Sequence, residues 1–143
     1  MTILGKHLER LKGQTAWITG GRRIGRVVAR VLAEQGVNIV ASYRRSESAA
    51  QATAAEARSL GVRALTVCAD VSSLASLRAA VERVCSEFPR IHILVNMASV
   101  YRPVASNAVT PADWEEHFSA HVLGTFWPTQ LIVPLMPPGS HII

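Results

Sequence analysis

Four times along this chain a short apolar run gives way to a longer amphipathic stretch. This alternation restricts the fold more than any other feature. Thr15–Thr19, Val37–Ser42, Arg63–Cys68 and Ile91–Asn96 read as buried strands. After the first strand, Ile24–Gln35 reads as a helix, with Val27, Val28, Val31 and Leu32 at i, i+3, i+4 spacing and Gly36 as its stop. Ser46 stands as the cap of a second helix, Glu47–Leu60, which Gly61 ends. Ser73 caps a third, running to about Phe88 ahead of Pro89. Thr110-Pro-Ala-Asp113 starts a fourth, with Thr as cap and Pro at the first helical position; it runs towards Met136 with a bend at Pro128. Pro137–Ser140 is a loop, and His141–Ile143 opens a fifth strand. Such a βαβαβαβαβ order with short connections predicts an α/β fold. Its parallel sheet is doubly wound, with helices on both faces and strand order 3-2-1-4-5.

In that order strand four lies inside the sheet, yet strand five is cut to two or three residues. Strand four would then be a bare hydrophobic edge, an aggregation liability. The expectation is a chain truncated at the start of strand five; the alternative is a short protein that hides this edge against a partner. With 143 residues, 49% of them hydrophobic and 17% charged, the chain suits one domain spanning 1–143. Disorder, collagen and a disulfide scaffold are excluded. Apolar runs are interrupted well before the ~18 residues a membrane helix needs. Met1–Lys12 carries Lys6, Glu9, Arg10 and Lys12 among its apolar residues and reads as no leader. Cys68 and Cys85 form no C-x-x-C pair and read as reduced, buried thiols of a cytoplasmic protein. Aromatics make up only 6% and do not interleave with Lys or Arg runs, so no nucleic-acid partner is expected.

The net charge of +5 is unevenly placed. Residues 1–50 hold nine basic side chains against Glu9, Glu34 and Glu47; the rest of the chain is nearly balanced. The first fifty residues therefore favour an anion. Thr19-Gly-Gly-Arg-Arg-Ile-Gly25 lies between a strand and a helix start, where glycines let backbone approach a pyrophosphate and free N–H groups face it. A dinucleotide fold that takes NAD places an acid about 20 residues further on, against the ribose 2′-hydroxyl. Here that region reads Ser42-Tyr43-Arg44-Arg45-Ser46. Arginines offer forked bonds to a 2′-phosphate, and Arg22 or Arg23 can reach the same place, so NADP is preferred over NAD. Asp70, at the end of strand three, is placed to accept from an adenine amino group. Asn96 is placed to pair with backbone between strand ends, and Ala98 is small enough for a ribose to approach.

Together these residues resemble the short-chain dehydrogenase/reductase family over essentially the whole chain. Thr19, Gly20 and Gly25 match its Thr-Gly-x-x-x-Gly-x-Gly turn, and Asp70-Val71 its Asp-Val pair. Asn96 and Ala98 match Asn-Asn-Ala-Gly, while Asp113, Trp114 and Gly124 echo a helix through which the family pairs chains. The Arg-Arg-Ile turn, Tyr43-Arg-Arg-Ser46 and the Asn-x-Ala-Ser99 form are most similar to pteridine-reductase-like enzymes that use NADP. The resemblance implies a Rossmann-type fold and hydride transfer to or from a small carbonyl or C=N substrate. It assigns Gly20, Gly21, Arg22, Arg23, Ile24 and Gly25 to the pyrophosphate, Tyr43, Arg44, Arg45 and Ser46 to the 2′-phosphate end, and Asp70 and Val71 to the adenine. Asn96, Ala98 and Ser99 go to the ribose near the nicotinamide. It also implies a homo-oligomer for a full-length chain.

Some positions depart from the family pattern. Arg23 replaces the middle glycine of a turn one residue short, Met97 replaces the second Asn, and His121 stands at the helix Asn. Neither Tyr43 nor Tyr101 has Lys four residues later. The family's catalytic Ser and Tyr-x-x-x-Lys would fall after Ile143, so this chain alone is expected to be inactive, and a non-catalytic dinucleotide-binding module is the second reading. His117 and His121, at i, i+4, lack a third metal ligand in view. His92 reads as packed, Tyr101-Arg-Pro103 as a loop near substrate, and Trp114, Phe118 and Trp127 as core or subunit interface.

Overall fold

A computed structural model describes residues 11–20 and 22–143. Gly21 of the glycine-rich turn and the N-terminal stretch read against a leader, up to residue 10, lie outside the described residues. The elements are β1 (Thr15–Thr19), α1 (Ile24–Glu34), β2 (Asn38–Tyr43), α2 (Glu47–Ser59), β3 (Ala64–Cys68), α3 (Leu74–Cys85), β4 (Ile93–Asn96), α4 (Pro111–Phe118), α5 (Gly124–Ile132) and β5 (His141–Ile142). A π-helical turn, Ser119–Leu123, joins α4 to α5, and a short 3₁₀ turn, Val133–Leu135, follows. The sheet is wholly parallel in the order β3-β2-β1-β4-β5, as the alternation requires.

Strand periodicity divides the core in two. Trp17, Val40, Leu65 and Leu94 face Leu77 and Val84 of α3 and Ile132 of α5. Ala16, Ile18, Ile39, Ala41 and Val95 face Ala29 and Ala33 of α1 and Ala57 of α2. Register sets Thr19 level with Ser42 on one side and Asn96 on the other, so β1, β2 and β4 end together. That shared carboxyl end is where a doubly wound sheet opens a crevice.

Five readings are corrected. Only half of the apolar stripe of α1 meets the core: Gly25, Ala29 and Ala33 are buried and Val28 and Leu32 pack partly buried beside them, while Ile24, Val27 and Val31 are exposed. The small side chains form the centre of the contact with the sheet, with Val28 and Leu32 at its edge. Cys68 is exposed rather than buried, because β3 is the sheet's edge; both thiols are free. Ser46 occupies the cap position of α2 without a capping bond, unlike Ser73, whose side chain accepts from the Ser76 N–H. The last long helix breaks at the π-helical turn, not at Pro128, which lies buried inside α5. Pro128 has no N–H to donate to the Gly124 carbonyl, so the helical ladder lacks that bond directly after the π-helical turn. Strand four is not left bare: His141 and Ile143 donate to the carbonyls of His92 and Leu94, and Asn96 N–H donates to the Ile143 carbonyl. No helix among the described residues is long and apolar enough to cross a membrane.

Candidate functional site

A cleft of about 470 Å³ opens at the carboxyl end of β1, β2, β3 and β4. Its floor depends on Gly20. This residue has φ of +79°, and a Cβ there would meet the Ala98 Cα at 2.8 Å and the Met97 carbonyl at 2.9 Å. Only glycine allows the turn after β1 to pass under the loop after β4. Thr19 secures that crossing: its Oγ1 accepts from the N–H groups of Met97 (3.0 Å) and Ala98 (3.2 Å). Gly25 is pressed as closely, since a Cβ there would lie 2.5 Å from the Gly20 carbonyl.

The start of α1 is open electrostatically. It has no acid in its first turn, and its cap residue, Arg23, makes no side-chain capping bond. Arg23 has φ of +55°. It therefore takes up a left-handed conformation where the family has glycine, at a cost in strain.

Arg22 and Arg23 line the cleft from the first turn, and Tyr43, Arg44, Arg45 and Ser46 line it from the end of β2. Arg44 Nη1 lies 3.6 Å from Asp70 Oδ2, whereas Arg22, Arg23 and Arg45 form no ion pair with another described residue. Partial burial and the neighbouring Glu47 carboxylate hold the Tyr43 phenol above its ordinary range. Asp70 is fully engaged: Oδ1 accepts from the Ser72 N–H (2.9 Å) and hydroxyl (2.6 Å). Burial works against its charge, yet the Ser72 bonds and then the Arg44 charge prevail and hold its carboxyl below the usual range. Val71, Ala98 and Ser99 complete the expected lining.

Three expected residues fall outside the cleft. Ile24 and Gly25 belong to α1 behind it. Asn96 lines a separate apolar groove of about 360 Å³ with Val28, Leu32, Ile93 and Ile143. Its side-chain oxygen and nitrogen are buried without a hydrogen-bond partner, so the expected pairing with backbone is not made among the described residues. Conversely, the cleft includes Ala50, Ser72 and Ala120, which no motif marks. Small residues at helix starts and turns carry no pattern that separates a cleft wall from ordinary packing.

His121 Nε2 accepts from the Val100 N–H at 3.3 Å, tying the π-helical turn to the loop after β4. His117 Nδ1 is bonded to the Asp113 carbonyl oxygen, and its ring meets His121 edge to face. Among the described residues no group of three or more His, Cys, Asp or Glu side chains could hold a metal. Tyr101 lies on the cleft rim and is 89% exposed. His92 Nδ1 accepts from the Thr15 N–H, in keeping with a packed role. Trp127 packs on the core, while Trp114 and Phe118 are exposed.

Residues 14–143 match the family model described as short chain dehydrogenase. An uncharacterized oxidoreductase of Methylorubrum extorquens is 33% identical over 95% of this chain and 55% of its own length. A short chain dehydrogenase from Burkholderia cenocepacia, solved in complex with NADP, superposes with a TM-score of 0.87 at 33% identity, covering 93% of this chain and 55% of that one. A blue fluorescent protein from a metagenomic library, solved with NADPH, gives 0.84 at 32% identity, covering 92% and 55%. The chain thus spans about half the length of the relatives it matches.

Proposed function

Since the chain belongs to the short-chain dehydrogenase family, we propose that its cleft binds a nicotinamide dinucleotide and prefers the 2′-phosphorylated form, NADP. One observation carries this reading. Arg22, Arg23 and Arg45, without an ion-pair partner among the described residues, share the cleft with Ser46, whose hydroxyl makes no capping bond, while Glu47, the acid beside Tyr43, is not part of the cleft lining. The acid that lines the cleft, Asp70, is held by Ser72 and Arg44. Guanidinium groups suit a phosphate as forked, charged donors. The neighbours solved with NADP and NADPH support the same choice.

The fit extends along the cleft. The turn from Gly20 through Gly21 and the open start of α1 would hold the pyrophosphate, with Arg22 and Arg23 beside it. Arg44, Arg45 and Ser46 would take the 2′-phosphate, Tyr43 would border it, and Asp70 with Val71 would border the adenine. Ala98 and Ser99 would edge the nicotinamide ribose. Asn96 drops out of the ligand contacts because it faces the groove. A bound nicotinamide supplies or accepts a hydride at its ring.

Acting on a small carbonyl or C=N compound is the reading for a chain completed as in the relatives, and the pteridine-reductase-like turn around Arg22–Ile24 supports it. We read residues 1–143 as a coenzyme-binding domain, in keeping with the family match over residues 14–143. Binding of the dinucleotide without turnover, as a module that acts through a partner chain, is the second reading. Trp114, Phe118, Val122 and Phe126 recur at every fourth residue, all exposed, and would seat a second copy in an oligomer. The two free thiols, one of them exposed, suit a reducing compartment, the cytoplasm.

Replacing Arg44 and Arg45 together by Ala tests the phosphate assignment. NADPH affinity should fall about 10- to 100-fold, as expected for one or two charged hydrogen bonds. NADH affinity should change less than about threefold, a shift of well under 1 kcal/mol. Equal losses for the two dinucleotides would refute the preference.

A further inference from the structure

Gly124 needs no glycine for its own backbone. Its φ of −68° is ordinary right-handed helix, and it sits buried where the π-helical turn passes into α5. A glycine in a helix is less stable than alanine, so the missing side chain has another cause. A Cβ built on Gly124 would lie 2.7 Å from Val71 Cγ2 and 3.3 Å from Val71 Cβ. Val71 is 9% exposed and lines the cleft between Asp70 and Ser72. Its branched side chain is stiff at χ1 and cannot swing aside freely.

We propose that Gly124 is a positioning residue for the dinucleotide: its bare Cα seats Val71 back from the cleft and so keeps open the wall beside Asp70. This rests on the reading of the cleft as a dinucleotide site. The π-helical turn takes part in the arrangement. Within five residues it places Ala120 on the cleft wall, turns His121 towards Val100 in the loop after β4, and delivers Gly124 to Val71 in the loop after β3. A widened turn at such a point is a frequent companion of functional sites. A methyl group at position 124 would press Val71 towards the ligand without touching the arginines.

A double-mutant cycle between Gly124→Ala and Val71→Ala, read by NADPH and NADH fluorescence titration of the chain, tests this. G124A should weaken both dinucleotides to the same degree, about tenfold, the size of a close-neighbour coupling. It should also move the Val71 methyl resonances. The double variant should bind as V71A does, because the clash is gone. If G124A alone does not fold, the double variant still carries the test, and it must fold and bind like V71A. Unchanged binding by G124A, or a loss that V71A fails to relieve, overturns the proposal while leaving the site reading intact. A wild-type chain that binds neither dinucleotide overturns the site reading and the proposal with it.

Discussion

Single residues decide how closely two loops can approach at the head of the sheet. Thr19 and Gly20 act as a pair, the hydroxyl holding the Met97 and Ala98 amides while the absent Cβ lets that backbone come near. Arg23 is the costly member of the same turn. Left-handed backbone at a non-glycine residue stores strain of order 1 kcal/mol, and glycine would release it at some entropic loss in the unfolded chain. Arg23→Gly should therefore leave stability unchanged or raise it by up to about 1 kcal/mol, seen as an equal or higher Tm. A clear fall in Tm would mean that the arginine stabilises the turn through contacts its strain conceals. The sequence shows that Arg23 breaks the glycine pattern, but not that its φ is positive, which depends on how α1 is anchored by Gly25.

Among the elements, α4 is the most completely specified by local chemistry. Thr110 and Asp113 form a reciprocal capping box, and Pro111 occupies the first turn. Arg102 reaches across from the loop after β4 to pair with Asp113 and, at 3.5 Å, with Glu116. The bonds from Thr110 are the main cause of a depressed Asp113 carboxyl; Arg102 adds to it, and burial opposes it. A carboxyl depressed in the fold gives stability above its unfolded value, lost as pH falls through the folded one. The contribution is thus present at neutral pH and disappears below about pH 4. Asp113→Asn should lower Tm at neutral pH and flatten its decline in acid; curves that stay parallel down to pH 2–3 would contradict this. The helix start was legible because a cap is written in four adjacent residues. The π-helical turn was not, since no motif in Ser119–Leu123 separates it from ordinary α-helix.

At the scale of the molecule, the alternation of strand and helix patterns was enough for sheet order, because parallel crossovers allow few alternatives. Which side of a helix is buried was less legible. In α1 both the valines and the small residues follow helical spacing, and only close packing against Ala16 and Ile18 selects Gly25, Ala29 and Ala33. The lining of the cleft was readable where its residues are charged or glycine, at Gly20, Arg22–Arg23, Arg44–Ser46 and Asp70. Asn96, expected in the cleft, lines the apolar groove instead, with Val28 and Leu32 of α1 and His141 of β5 around it. The central claim is that one cleft at the head of β1, β2 and β3 holds a phosphorylated dinucleotide. Backbone amide NMR of the ¹⁵N-labelled chain, titrated with NADPH and in parallel with NADH, addresses it directly. NADPH should move the amides of Gly20, Arg22, Arg44–Ser46, Val71 and Ala98 while those of Val28 and Ile93 in the apolar groove stay in place, and NADH should leave Arg44–Ser46 largely unmoved. Shifts centred on the groove, or the same response at Arg44–Ser46 to both dinucleotides, would contradict it.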